Sequence, residues 1–214
     1  MGIYQLKPAF RKRLRPLLKR LRGVHPDWLT GAALAVSLIA GALIYASRYP
    51  GFLFLLLLVP PLLFVRLALN ALDGMLATET GTARPQGEIL NELFDRLADV
   101  AILLGAVFSD HSIRWLGLLA IVAVLLVSYA GILGKAAGAS RQYGGPLGKA
   151  DRMVYLMVAC AAQFALSASG RETVLIFDAR SSVFDLVWIW FLLGAVWTVL
   201  QRSFDAWKEL GNDG

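Results

Sequence analysis

The stretch NALDGMLATETGTARPQGEILNELFDRLAD, residues 70–99, is the most informative part of this chain. Arg66, Asn70, Asp73 and Ala77 follow one another at steps of four, three and four, which stacks them on one face of a helix. Gly87, Asn91, Asp95 and Asp99 step by four and line one face of a second helix. Residues 78–86 join the two as a short hairpin, so the spacing predicts that both polar faces meet at one end of an antiparallel helix pair. Ionisable residues are costly in an apolar helix and turn towards a partner or a water-filled cavity. Oxygen donors without clusters of His or Cys suit a hard cation such as Mg²⁺, Mn²⁺ or Ca²⁺ rather than zinc.

Outward from this stretch the chain is apolar. Of 214 residues 57% are apolar and the mean hydropathy is +0.62, more than one aqueous core hides. A hydrocarbon core about 30 Å thick takes about 20 apolar residues per helical span. Candidate spans cover residues 28–46, 52–76, 87–108, 113–133, 152–166 and 183–200. The expected architecture is an all-α integral membrane protein, one domain over residues 1–214. Six transmembrane helices occupy residues 28–200, preceded by an amphipathic interfacial helix at 4–22. In that first segment Leu6, Phe10, Leu14, Leu17, Leu18 and Leu21 recur at helical spacing with basic residues between them, the pattern of a helix lying among headgroups. Pro60 and Pro61 predict a kink or local unwinding in the second span. The first apolar run is of span length and no cleavage site follows a short basic region, so the whole chain is expected to be mature.

The net charge of +6 is local, because eight Lys and Arg lie between Lys7 and Arg22. That placement points to anionic lipid headgroups, and the lack of an accompanying aromatic stacking motif argues against nucleic acid. With the basic N-terminal segment cytosolic, alternation puts residues 78–86, 135–149 and 201–214 on the same side and leaves only Arg48, Arg114, Arg171 and Arg180 on or near the other. Both termini and the polar cluster then face the cytosol of a bacterial-type inner membrane. Cys160, the only cysteine, excludes an internal disulfide and is expected to pack as an apolar group. The basic run KAAGASRQYGGPLGKADRM, residues 135–153, offers Lys135, Arg141, Lys149 and Arg152 to an anionic acceptor, with Gly144, Gly145 and Gly148 permitting close approach. A positive-inside loop without any ligand accounts for the same charges.

The spacing resembles the signature of the CDP-alcohol phosphotransferases, D-x2-D-G-x2-A-R-x8-G-x3-D-x3-D. Here it stands as NALDGMLAT, eight residues, then GEILNELFD. Asn70 and Asn91 occupy the first and third Asp positions, Asp73 and Asp95 the second and fourth, and Thr78 the Arg position; Gly74, Ala77 and Gly87 match. The segment HPDWLT at the start of the first span is similar to the family's PNxxT opening, and Asp99 extends the array as in members that use inositol phosphate acceptors. The resemblance implies a fold of six spans, a homodimer, and transfer of a phosphatidyl group from CDP-diacylglycerol or a similar CDP-linked lipid to a small hydroxylated acceptor, glycerol 3-phosphate or inositol phosphate. It places the CDP moiety by Asp73, Gly74, Ala77, Thr78 and Gly87. It places one or two Mg²⁺ or Mn²⁺ ions on Asn70, Asp73, Asn91 and Asp95, and makes Asp95 the base, with CMP as the leaving product.

The two amides supply oxygen without negative charge, so affinity for a second ion is expected to fall. Thr78 removes a basic residue that could meet phosphate, and Arg84 or Arg66 could replace it. Arg66 could equally be a structural partner of Asp73 or Asp95. Two other readings compete: a catalytically silent relative acting as a membrane partner, and a solute or ion transporter. The latter is disfavoured by the absence of a repeat and of a midplane site.

Overall fold

The computed structural model describes residues 7–171, 173–176 and 179–212; residues 4–6 of the expected interfacial helix and 213–214 of the tail lie outside the described residues. The elements in chain order are α1 (Lys7–Leu21), α2 (Pro26–Ala46), a 3₁₀ segment (Leu53–Leu58), α3 (Val59–Glu79), α4 (Pro85–Val107), α5 (Arg114–Ala136), α6 (Lys149–Ala168), β1 (Val174–Ile176), β2 (Ala179–Ser181) and α7 (Val183–Asn212). Each expected span is thus one helix. Four of them, α2, α3 with its 3₁₀ lead-in, α5 and α7, are long and apolar enough to cross a bilayer. Their outer faces are apolar as well, with Leu38, Ile39, Phe64, Leu119, Val122 and Leu193 all exposed. Helices α4 and α6 have span length, 23 and 20 residues, but carry charges.

Pro60 and Pro61 do not kink the middle of a helix. They stand at the first positions of α3, where a missing N–H costs nothing, and the 3₁₀ turn before them is the local unwinding. Helix α7, 30 residues long, outlasts the expected 183–200 span and carries Gln201, Arg202 and Glu209 beyond it. The chain is all-α in class, with one small addition. Val174–Ile176 and Ala179–Ser181 pair antiparallel between α6 and α7, a short hairpin begun by a β-favouring Val-Leu-Ile run.

The main core gathers Ile44, Leu63, Ile102, Val124, Leu156 and Trp188 from six helices. A second, smaller cluster seats α1 on α3 through Leu14 and Leu18 against Leu72 and Leu76, which leaves Leu17 exposed. Helices α2 and α4 cross with their backbones touching: a Cβ at Gly41 would run into the Ala101 carbonyl, and one at Gly105 into that of Gly41. This crossing brings the start of α2, with Thr30, beside the C-terminal end of α3 and the N-terminal end of α4, and α6 closes on α3. Gly105→Val forces the two backbones apart and is expected to lower stability by about 1–3 kcal/mol, read by denaturant titration in detergent.

Candidate active site

Asp73 is buried on α3 and accepts three hydrogen bonds. Thr30 Oγ1 of α2 donates to Oδ2 at 3.0 Å, Asn91 Nδ2 of α4 donates to the same oxygen at 2.6 Å, and its neighbour Gly74 N donates to Oδ1 at 2.5 Å. The two helix faces foreseen from spacing therefore meet, and α2 joins them. Asp95, also buried, pairs through Oδ1 with the ammonium of Lys149 at the start of α6, and its Oδ2 lies 3.9 Å from Arg96. Asp95 and Lys149 both stand close enough to Asp73 to act on its charge.

Asn70 has the one side chain of the array with no polar contact: both polar atoms of its amide are buried and, among the described residues, neither has a hydrogen-bond partner. A buried amide of this kind is costly unless something completes it. Among the described residues no group of three or more His, Cys, Asp or Glu converges, so a cation here would rest on two carboxylates and two amides. Four oxygen-bearing groups of hard character, one orphaned, fit Mg²⁺ or Mn²⁺ and not a soft metal.

One helical turn deeper, Asp99 is enclosed. Arg66 of α3 donates to Oδ1 and Arg152 of α6 to Oδ2, each at 2.6 Å, and all three side chains are at most 2% exposed. The structural role considered for Arg66 is thus real, but the carboxylate it serves is that of Asp99; towards Asp95 it reaches only the backbone oxygen, at 3.5 Å. Arg66, Asp99 and Arg152, all candidates for acceptor binding by sequence, hold one another in this structure.

The other basic candidates lie around the mouth. Arg141 pairs with Glu92 at 2.5 Å and stacks over Tyr143 with its carbon 5.3 Å from the ring centre. Burial weakens its charge, but the Glu92 carboxylate outweighs that and holds the guanidinium above its ordinary range. Lys135 pairs with Glu88, both exposed. Arg84 pairs with Asp27 at 2.5 Å, and together they flank Gly87, whose Cβ position is 3.5 Å from Arg84 Cγ. Thr78 donates its hydroxyl to the Gly74 carbonyl at 2.8 Å, one turn back along α3 beside Ala77. Asp151 accepts from Gly148 N at 3.0 Å and caps α6, which aims Lys149 and Arg152 inwards.

Thr30, Asp27 and Glu92 were not singled out from sequence. The HPDWLT segment contained the signal for the first two, since its Asp and Thr lie three apart on the first turn of α2. A groove lined by Gly41, Tyr45, Arg48 and Arg114 lies at the opposite ends of α2 and α4, and both its arginines are taken by Asp110.

No family model matches the chain. It is 41% identical over 154 residues to inner membrane protein YnbA of Escherichia coli strain K12, covering 71% of this chain and 75% of that protein. It is 28% identical over 212 residues to archaetidylinositol phosphate synthase of Pyrococcus horikoshii, covering 96% of this chain and 97% of that one. Among solved structures it superposes on Mycobacterium tuberculosis phosphatidylinositol phosphate synthase with CDP-DAG bound, at a TM-score of 0.67 and 19% identity over 92% of this chain and 93% of the other. The same enzyme in complex with manganese and citrate superposes at 0.69 and 19% identity, over 91% and 88%. At that identity the structures show a common fold. Within it, Asp99→Asn strips two buried arginines of their counter-charge and is expected to cost about 3–5 kcal/mol of stability, measured by denaturant unfolding in detergent.

Proposed function

We propose that the chain, which belongs to the family of inner membrane protein YnbA and shares the fold of phosphatidylinositol phosphate synthases, is a CDP-alcohol phosphotransferase that transfers a phosphatidyl group from a CDP-linked lipid to a phosphorylated alcohol. The observation that carries this reading is the convergence of Asp73, Asn91, Asp95 and the orphaned Asn70 at the ends of α3 and α4. The acceptor is an inositol phosphate by preference, as the names of the archaeal relative and of the mycobacterial structure suggest, with glycerol 3-phosphate as the alternative. Six helices, α2–α7, cross the membrane, the charges of α4 and α6 facing inwards, α1 lying among cytosolic headgroups, and the site and both termini on the cytosolic side.

In this reaction the acceptor's hydroxyl oxygen attacks the lipid-bearing phosphorus. The bond from that phosphorus to the bridging oxygen breaks, CMP departs with the bridging oxygen, and the hydroxyl proton passes to Asp95. Gly74, Ala77 and Gly87, small residues on the two facing helices, leave room for the CDP moiety. Asn70, Asp73, Asn91 and Asp95 would hold one or two Mg²⁺ or Mn²⁺ ions, whose contribution is to neutralise the diphosphate and the charge that develops on the leaving oxygen. Thr30 and Asn91 fix the rotamer of Asp73, while Lys149 holds Asp95 and stands where it can meet the acceptor's phosphate.

The purified protein is expected to release CMP from CDP-diacylglycerol in the presence of Mg²⁺ or Mn²⁺ and of an acceptor, and Asp95→Asn to lower that rate about 100-fold or more. CMP release that no acceptor or metal elicits in the wild type would replace this reading with that of a silent relative. Asn70→Asp adds a charge to the donor set and is expected to lower the Mg²⁺ concentration needed for half-maximal rate by about tenfold, in a metal titration of the same assay.

A further inference from the structure

Helix α1 carries Arg11, Lys12, Arg13, Arg15, Lys19 and Arg20, and of these all but Arg11 are exposed. Phe10 packs edge-on against Phe64 of α3 at 5.8 Å between ring centres, and Leu14 and Leu18 insert between Leu72 and Leu76, so the position of Arg11 is set by apolar packing on both sides. Its Nη2 stands 3.9 Å from the point a Cβ on Gly74 would occupy, beside Asp73. Its Nε is buried without a hydrogen-bond partner, and among the described residues the side chain forms no ion pair. A guanidinium held in place and left incomplete beside a glycine awaits an acceptor oxygen from outside the chain.

Resting on the donor assigned above, we propose that Arg11 is a binding residue of the active site, reaching over Gly74 to bond the diphosphate of the CDP-linked lipid. The amphipathic helix then does more than attract the protein to anionic headgroups: it contributes one arm to the site, and its seating on α3 gives that arm its aim. The planar fork of the guanidinium matches two phosphate oxygens at once, which a lysine does not.

Binding of CDP to the full-length protein in detergent with Mn²⁺, measured by calorimetry, tests this with three variants. R11A is expected to weaken CDP about tenfold or more, R11K to recover only part of the loss, and R15A, which removes an exposed charge from the same helix, to bind as the wild type does. Equal affinity in R11A and the wild type overturns the role of Arg11 while leaving the donor assignment intact. So does an equal loss in R11A and R15A, the mark of general attraction to phosphate or headgroups. A wild type that binds no CDP overturns both.

Discussion

Asp99 takes one guanidinium on each carboxylate oxygen, Arg66 from α3 and Arg152 from α6, with all three side chains sealed from solvent. Such a cluster adds little net stability, since desolvating the charges offsets most of their attraction, but removing any member leaves a bare charge where water cannot reach. Its effect is therefore on geometry. Three helices are locked at one depth and in one rotation, and everything nearer the turn between α3 and α4 inherits that register: Asp95 meets Lys149 one turn above Asp99 and Arg152, and Asp73 meets Asn91.

Above the lock, the site is built with less negative charge than its signature provides for. Asn91 donates to Asp73 where a carboxylate would repel it, and Lys149 covers Asp95. Two carboxylates, two amides and an ammonium form a nearly balanced group, one that holds together through its own hydrogen bonds. Asn70 is the exception, its amide buried with no hydrogen-bond partner among the described residues.

Much of this was legible in the sequence because two periodicities coincide. Apolar runs of span length gave the helices, and steps of three and four gave the faces of α3 and α4. In an antiparallel pair, residues equidistant from the turn meet, which sets Asp73 opposite Asn91 and Arg66 opposite Asp99. That second consequence went undrawn when Arg66 was matched with Asp73 or Asp95. Thr30 and Lys149 reach the same pocket from 43 and 54 residues away, and no local spacing encodes such contacts. The pairing of Val174–Ile176 with Ala179–Ser181 escaped because three-residue strands are too short to show alternation. Of the kink or local unwinding read from Pro60 and Pro61, the unwinding is present as the 3₁₀ turn ahead of them, and the prolines begin α3.

The order in which the lock's parts leave the ribosome matters for how the protein enters a membrane. Alone, α4 would offer Glu92, Asp95, Arg96 and Asp99 to lipid, at roughly 2.5–3.5 kcal/mol for each charge near the centre of a span. Arg66 is made 33 residues before Asp99, so α3 and α4 can insert as a pair with one charge already matched. Arg152 follows 53 residues after Asp99, on the helix that also brings Lys149 to Asp95. Until α6 is made, Arg66 alone answers Asp99, and one carboxylate oxygen lacks the guanidinium that completes the cluster.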